Sequence, residues 1–204
     1  MVKRAIFYDD CRDASRLAAE WAQTTPARWT SEYSAPNFYY RTTMPAGIEI
    51  CTLMSFIVVK DFEILLKVRS SILGGDIGVL IRKGRNISDA ETGSILVHMS
   101  NIPDIAIYVY DGAYQVLGSA AHTMLANQWY WLRCRVIGNS FKAKSWLVGV
   151  AEPDWMLSVY MTRITLGGKM PSPLTIAFRS YSTVAATKDY SDIRITPIPR
   201  TGFP

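Results

Sequence analysis

Reactive and metal-binding side chains are scarce in this chain. Its 204 residues include three cysteines and two histidines, and Cys11, Cys51 and Cys134 lie far apart, without C-x-x-C spacing. Three widely spaced cysteines argue against a disulfide framework or a cysteine zinc site and are typical of reduced thiols in a protein folded in a cytoplasm. A thiol–histidine catalytic pair has only His98 and His122 to draw on. We therefore expect structural cysteines, with Cys134 as an inert buried thiol.

Long apolar runs and a secretion signal are also missing. The N-terminal sequence MVKRAIFYDD reaches acidic residues before the apolar core of a signal peptide can form. The longest largely apolar run, Ile50 to Val59, is flanked by Glu49 and Lys60. It is shorter than the roughly 20 residues that a membrane-spanning helix needs. We expect a protein that is not inserted into a membrane and carries no signal peptide.

Blocks of like charge are absent as well. Charged residues make up 19% of the sequence and hydrophobic residues 49%, and the net charge is +5. This apolar content is enough for a folded core and excludes a disordered chain. Because the basic residues are scattered singly, the positive excess is typical of solvated strand faces and not of a nucleic-acid groove. No nucleic-acid partner is expected.

A series of short strand signals runs through the chain. Segments rich in β-branched and aromatic residues are separated by Gly, Asp, Asn and Pro, which is typical of a sandwich or jelly roll and not of βαβ units. The predicted strands, besides a hairpin described below, are Arg4 to Tyr8, Asn37 to Arg41, Ile48 to Val59, Phe62 to Arg69, Ile77 to Arg82, Ser94 to Met99, Ile105 to Tyr110, Tyr114 to Leu117, Trp155 to Thr162, Leu174 to Ser180 and Tyr190 to Ile195.

One helix and one long loop interrupt this series near the N-terminus. Asp13 can cap a short helix over Asp13 to Ala22, in which Leu17 and Trp21 are four residues apart. A polar surface loop is predicted over Pro26 to Pro36. The expected fold is all-β, a two-sheet antiparallel sandwich with one short N-terminal helix. We expect a single domain over residues 1–204, with its core at 4–196 and a short C-terminal tail at 197–204.

The segment from Gln128 to Leu147 predicts a β-hairpin in detail. Gly138-Asn139 is a two-residue turn signal between runs of aromatic and β-branched residues. The period of two then divides the side chains into a core face and an outer face. The core face carries Tyr130, Leu132, Cys134, Val136, Phe141, Ala143, Ser145 and Leu147. The outer face pairs Trp131 with Trp146, Arg133 with Lys144 and Arg135 with Lys142.

This outer face is the candidate functional surface. Like charges placed directly opposite each other are destabilising, so the face needs water, acidic neighbours or an anionic partner. Three interpretations remain open: it binds an acidic glycan, it packs against another subunit, or it is a wet strand surface partly covered by a loop. Additional aromatic residues that could extend either contact are Phe38, Tyr39, Tyr40, Tyr108 and Tyr110.

The order of several segments resembles a known fold family. These segments are IFYDD, DFEILLKVR, DIGVLIRKG, WYWLRCRVIGNSFKAKSW, EPDWMLSV and DYSDIRI, which together span most of residues 4–196. They are similar to the concanavalin A-like jelly rolls of the laminin-G and glucanase kind, and to uncharacterised modules of phage structural proteins. The resemblance implies a jelly roll, but none of the segments is a catalytic signature.

The catalytic motif of the glucanases is incomplete in this chain. Those enzymes use an E-x-D-x-x-E strand, and retention needs two carboxyl groups about 5 Å apart. Here Glu152 and Asp154 supply E-x-D, Leu157 stands at the second glutamate position, and Pro153 interrupts the strand. We interpret Glu152 and Asp154 as an acidic turn and expect no enzymatic activity.

The resemblance also implies one metal candidate. Jelly rolls of this kind often hold calcium between the first and last strands, and Asp10 and Asp192 lie in the matching segments. Calcium takes about six to eight oxygen ligands, of which the sequence supplies these two, so a turn role for Asp10 and a solvated Asp192 are the alternative. We expect no required cofactor, with calcium as the candidate metal.

For function, the resemblance implies a non-enzymatic structural protein displayed on a phage virion and folded in the host cytoplasm. It would serve as a tail fibre or adsorption protein or as a head decoration protein. Expected partners are other virion proteins, further copies of itself in a homotrimer, and a polysaccharide of the host surface. The alternatives are a free carbohydrate-binding, lectin-like module and a glycan hydrolase with an unrecognised site.

Overall fold

Fifteen β-strands, one α-helix and one 3-10 turn form the described part of the chain. The computed structural model describes residues 7–53, 61–72, 75–83, 95–100, 104–110, 113–161 and 175–199. The strands are β1 Phe7–Asp9, β2 Trp21–Gln23, β3 Trp29–Ser34, β4 Asn37–Met44, β5 Gly47–Leu53, β6 Phe62–Ser70, β7 Asp76–Lys83, β8 Ile95–Ser100, β9 Asp104–Tyr110, β10 Tyr114–Ala121, β11 Tyr130–Ile137, β12 Ser140–Leu147, β13 Leu157–Tyr160, β14 Thr175–Ser182 and β15 Ala186–Pro197. The helix α1 spans Ala14–Glu20, and the 3-10 turn spans Pro26–Arg28.

The strands form two antiparallel sheets. The eight-stranded sheet has the order β13-β12-β11-β6-β15-β4-β3, and β1 pairs with β15. The seven-stranded sheet has the order β10-β9-β8-β7-β14-β5-β2. The predicted all-β, two-sheet antiparallel fold with one short N-terminal helix is therefore confirmed.

Alternating side chains build the core between the sheets. In β6, Phe62, Ile64 and Leu66 are buried, while Glu63 and Lys67 point away from the core. The same alternation operates in the facing sheet, because a strand with one buried face turns every second side chain inward. The inward side chains of both sheets join in one apolar cluster that includes Leu132, Cys134, Val136, Ile77, Val79 and Ile81.

The helix α1 begins where the sequence predicts it. The Asp13 carboxylate accepts a hydrogen bond from the Ser15 backbone N–H at 2.8 Å, which caps the helix. It ends earlier than predicted, because Trp21 is extended and begins β2. The Trp21 ring stacks on Phe178 of the same sheet at a centroid distance of 4.3 Å. Core packing of this ring therefore decides where the helix ends.

The predicted loop over Pro26 to Pro36 is wrong. Its middle part is β3, an edge strand whose partner is β4. Trp29 is buried in the core, whereas Thr30 and Glu32 lie on the outer face. The polar residues that suggest a loop are present because β3 is an edge strand and one of its faces is exposed to solvent.

Several strand boundaries also differ from the predictions. The strand expected from Trp155 begins at Leu157, so Trp155 lies in the preceding loop. β4 continues to Met44, and β15 covers Ala186–Pro197. β10 continues through Gly118 to Ala121, past a bulge after Val116, because pairing with β9 compensates for the low strand propensity of these small residues. Parts of the predicted strands, including residues 4–6, 54–59, 94, 162 and 174, lie outside the described residues.

Candidate functional site

The predicted hairpin register is confirmed. β11 and β12 pair so that Trp131 faces Trp146, Arg133 faces Lys144 and Arg135 faces Lys142. Cys134, on the opposite face, is buried as predicted. The two-residue turn at Gly138-Asn139 fixes this register, and Gly138 adopts a φ of 55° that favours glycine.

Acidic neighbours neutralise much of the outer face. Glu63 of the adjacent strand β6 accepts a hydrogen bond from Arg135 at 2.8 Å and also lies near Arg133. Glu152, in the loop after β12, contacts both Arg133 and Lys144, the latter at 2.7 Å. The opposed like charges are thus bridged by carboxylates of the same chain. Among the described residues, Lys142 has no carboxylate within 4.0 Å.

The tryptophans of this face form a half-buried layer with the basic side chains. The rings of Trp131 and Trp146 are 6.3 Å apart at 28°. The Lys67 amine lies 5.0 Å from the centre of the Trp131 ring, and the Lys144 amine lies 4.7 Å from that of Trp155. The aromatic rings of this face are therefore already in contact with side chains of the same chain. Glycan binding or subunit contact through Trp131, Arg133, Arg135, Lys142, Lys144 and Trp146 stays a prediction.

Phe38, Tyr40 and Tyr108 do not extend this surface. Tyr40 and Tyr39 are buried, the former in the main core, and Phe38 packs against that core. Tyr108 belongs to β9 of the other sheet, which is separated from the hairpin face by the whole core. The sequence alone does not show which of these rings point into the core, because inward and outward side chains alternate along the strands of both sheets.

The candidate calcium ligands form ion pairs with basic side chains. Asp10 Oδ2 lies 3.1 Å from Arg12 Nε, and Asp192 Oδ2 lies 2.6 Å from Lys67 Nζ. In the described ranges, no group of three or more His, Cys, Asp or Glu side chains is arranged to hold a metal ion. Calcium binding at Asp10 and Asp192 stays a prediction.

A different site lies on the outer face of the seven-stranded sheet. Five neighbouring strands, β14, β7, β8, β9 and β10, turn polar and aromatic side chains outward there. His98, for example, lies between Val97 and Met99, which both point into the core. The outward side chains surround a cavity of about 220 Å³ lined by Asp76, Leu96, His98, Ser100, Tyr108, Tyr114 and Arg179. Pockets for drug-sized ligands measure about 300–1,000 Å³, so this cavity suits a smaller ligand.

A glycine allows the strands at this site to approach closely. Gly78 of β7 lies between Arg179 of β14 and His98 of β8 in the pairing register. A Cβ atom at Gly78 would lie 2.2 Å from the Val97 carbonyl oxygen and 2.7 Å from the His98 Cα. No other residue fits there without moving the backbone that positions His98.

Asp76 connects the two basic side chains of the cavity. Its Oδ2 atom lies 3.1 Å from Arg179 Nη1 and 3.3 Å from His98 Nδ1. Burial raises the pKa of Asp76, but its interactions with His98 and Arg179 outweigh the effect of burial, and the net effect is a lowered pKa. Asp76 is therefore an ionised acceptor in the wall of the cavity.

The imidazole of His98 is buried and unsatisfied. His98 is 5% exposed, and neither ring nitrogen has a hydrogen-bond partner among the described residues. The Nδ1 atom of His98 lies 3.3 Å from Asp76 Oδ2, but this contact does not have the geometry of a hydrogen bond. Buried polar atoms almost always have partners, so this histidine marks a place where a polar group from outside the chain can bind.

Tyrosine rings form the other walls of the cavity. The ring of Tyr108 packs edge-on against His98 at a centroid distance of 4.8 Å, and Tyr114 packs edge-on against Tyr108 at 6.1 Å. The Arg179 guanidinium lies 5.2 Å from the centre of the Tyr114 ring. The cavity thus combines apolar ring surface with a carboxylate, a guanidinium and an imidazole.

This site is not predicted by the sequence pattern. Asp76, His98, Tyr108, Tyr114 and Arg179 come from five strands, and β14 lies between β7 and β5 although it is far away in the chain. The available signal was the presence of charged or polar residues at outward positions inside strongly apolar strands. His98, between the inward residues Val97 and Met99, is one of these outward positions.

Comparison with known proteins identifies the fold. No family model matches the sequence, and no curated protein sequence matches it. Among solved structures, a Bacillus subtilis protein of unknown function with a galectin-like fold matches with a TM-score of 0.69 at 8% identity, over 96% of this chain and 97% of that one. The fold is a galectin-like, concanavalin A-like jelly roll.

Two structures with a similar fold have names that refer to carbohydrates. The carbohydrate-binding module CBM66 from Bacillus subtilis matches with a TM-score of 0.64 at 12% identity, over 87% of this chain and 95% of that one. The exoplasmic/lumenal domain of VIP36 in its Ca2+/Man3GlcNAc-bound form has a TM-score of 0.64 at 11% identity, over 95% of this chain and 88% of that one. In the described part of this jelly roll, no helix is long and apolar enough to span a membrane.

Proposed function

We propose that this jelly roll is a non-enzymatic carbohydrate-binding protein and that the cavity beside His98 binds one sugar unit. The observation that carries the proposal is the buried His98 imidazole, whose ring nitrogens lack partners among the described residues. A buried polar group without a partner costs about 1–3 kcal/mol. A ligand hydroxyl that reaches His98 removes this penalty, since a hydroxyl can both donate and accept.

The composition of the cavity favours a sugar over a purely apolar ligand. A sugar ring carries C–H groups that pack on aromatic surfaces and hydroxyl groups that need hydrogen-bond partners. Tyr108 and Tyr114 supply the aromatic surface, and Asp76, His98 and Arg179 supply the polar partners. The small volume suits a single ring, with further units extending over the sheet.

The structural neighbours support this proposal. A carbohydrate-binding module and a domain bound to Man3GlcNAc have the same fold as this chain. At 11–12% identity the likeness concerns the fold, so the assignment of the site depends on the cavity and its side chains.

A glycan array followed by titration with the bound glycan tests the proposal. We expect His98→Ala and Tyr114→Ala to weaken binding at least about tenfold, the loss of one or more hydrogen bonds or ring contacts. Tyr160→Ala is the matched control, because Tyr160 is 73% exposed on β13 of the other sheet. Equal affinity of all four proteins, or no glycan bound by the wild type, would refute the assignment.

The non-enzymatic part of the proposal has its own test. Glu152, the carboxylate that best matches the glucanase motif, is held between Arg133 and Lys144. We expect the wild type to release no reducing ends from β-glucans. Release that disappears in Glu152→Gln would instead assign a hydrolase.

Display on a phage particle is a further proposal, supported by the segment resemblance described above. In that setting a sugar-binding jelly roll would contact a polysaccharide of the host surface. Neighbouring capsid and tail genes would favour this location, whereas neighbouring polysaccharide-degrading genes would favour a free carbohydrate-binding module.

A further inference from the structure

We infer that the cavity beside His98 selects uncharged sugars over acidic sugars and that Asp76 determines this specificity. This inference rests on the proposed function, because it concerns the ligand class of the same cavity. Acidic sugars here are those with a carboxylate, such as uronic acids. Uncharged sugars are those with hydroxyl groups alone.

The positive charge of the cavity is already paired. Arg179 is the guanidinium among the described lining residues, and its Nη1 atom lies 3.1 Å from Asp76 Oδ2. A ligand carboxylate near Arg179 would therefore have to displace Asp76, and it would place two negative charges side by side in a largely buried site. Like charges in such positions are strongly unfavourable, which is a common way to reject a competing ligand.

A second carboxylate adds negative potential next to Ser100, the cross-strand partner of Asp76. The Ser100 hydroxyl, in the lining, donates to Asp104 Oδ1 at 3.0 Å. Burial raises the pKa of Tyr108, and the charges of Asp104 and Asp76 raise it further. The buried amine of Lys188 is close enough for Asp76 to affect its pKa, but it lies on the inner side of the sandwich, where it donates to Ser70. The described lining thus has one carboxylate, Asp76, and a second carboxylate, Asp104, lies behind Ser100.

The hydrogen-bonding character of the wall leads to the same conclusion. Asp76 Oδ1 has no contact among the described residues, so this carboxylate oxygen is an acceptor without a donor. The Nε2 atom of His98 also has no hydrogen-bond partner among the described residues. The Asp76 carboxylate therefore offers the ligand an acceptor for a hydrogen-bond donor. Sugar hydroxyls can donate, whereas a carboxylate only accepts.

Matched sugar pairs test the inference. Methyl glucoside against methyl glucuronide, and methyl galactoside against methyl galacturonide, are compared by saturation-transfer NMR and titration at low ionic strength, with the corresponding neutral and acidic oligosaccharides on an array. We expect the acidic member to bind at least about tenfold more weakly in every pair that shows binding.

The Asp76→Asn variant makes the test specific. It removes the negative charge and releases Arg179, so we expect the preference for the uncharged member to disappear or to reverse. Asp154→Asn is the control, because Asp154 is exposed in the loop before β13 of the other sheet, and it should keep the wild-type preference. If Asp76→Asn does not fold, as judged by circular dichroism, the comparison of matched pairs on the wild type alone decides.

The outcomes distinguish a failure of the proposed sugar binding from a failure of the inferred selectivity. Binding of no sugar of either kind refutes the proposed function. Sugar binding in which the acidic members are equal or stronger refutes the selection of uncharged sugars and leaves the sugar-binding cavity intact. An unchanged preference in a folded Asp76→Asn variant refutes the role of Asp76.

Discussion

Arg133 and Lys144 face each other across β11 and β12, and a single carboxylate oxygen, Oε1 of Glu152, contacts both. Two like charges are directly opposite here, and Glu152 offsets their repulsion because it contacts both. The Lys144 amine also donates to the Pro153 carbonyl at 2.7 Å. The loop after β12 is thereby attached to the outer face of the hairpin.

Removing this carboxylate should destabilise the hairpin. We expect Glu152→Gln to lower the free energy of unfolding by about 1–2 kcal/mol, because it leaves Arg133 and Lys144 opposed without their shared partner. The loss should shrink at high salt, which screens the remaining repulsion. Urea unfolding measures it, with Asp154→Asn as the control. An equal effect of the two variants would contradict the bridging role.

The outer face of the hairpin can still serve as a subunit contact. We expect a homo-oligomer, a trimer, that Trp146→Ala dissociates while the monomer stays folded. Light scattering at micromolar concentration gives the oligomeric state, and Tyr160→Ala is the exposed aromatic control. If the wild type is a monomer, the face is a strand surface covered by its own loop, and Arg133→Ala or Lys144→Ala should then change stability without changing assembly.

The three cysteines should be inert in the folded protein. Burial raises the pKa of the Cys134 thiol far above its ordinary value, and burial likewise raises the pKa values of Cys11 and Cys51. Because the thiolate is the reactive form, we expect no reaction with a thiol reagent at neutral pH in the native state and three thiols per chain after denaturation. A native thiol that reacts rapidly would contradict the burial of these side chains.

Lys188 should make stability depend on pH. It is 1% exposed, and burial lowers its pKa to about 8. The unfolded chain then binds more protons than the folded one between about pH 8 and pH 10.4, the reference value of lysine, so this contribution to stability rises with pH over that window. At pH 7, Lys188→Met should stabilise the protein by about 2–3 kcal/mol, with the advantage falling toward pH 10. Thermal or urea unfolding at both pH values measures the difference. An advantage independent of pH would contradict the lowered pKa.

The hairpin shows how much of the fold a local pattern can predict. The register of Trp131 with Trp146 follows from the two-residue turn at Gly138-Asn139 and the strict alternation of the flanking strands. Every step of that prediction involves residues close together in the chain. The buried position of Cys134 follows in the same way. The strand has one apolar face, and only one orientation of the strand buries that face in the core.

The wrong predictions share a physical cause. Trp29–Ser34 is a strand only because β4 pairs with it, and Tyr108 is separated from the hairpin face because β9 belongs to the other sheet. Partner strands and sheet membership are set by contacts between distant segments. Local composition does not report them.

The sequence by itself determined the β class, the alternating core faces and the paired outer face of the hairpin, because side-chain periodicity and turn chemistry are local properties. Only the tertiary structure decided that Asp76, His98 and Arg179 meet. Their strands become neighbours through the order β8-β7-β14, and Gly78 allows the close approach between them. It also decided which acids neutralise the basic face, since Glu63 and Glu152 reach that face from a separate strand and a loop. Which charged side chains form ion pairs depends on their distances in space, and the order of residues along the chain does not give those distances.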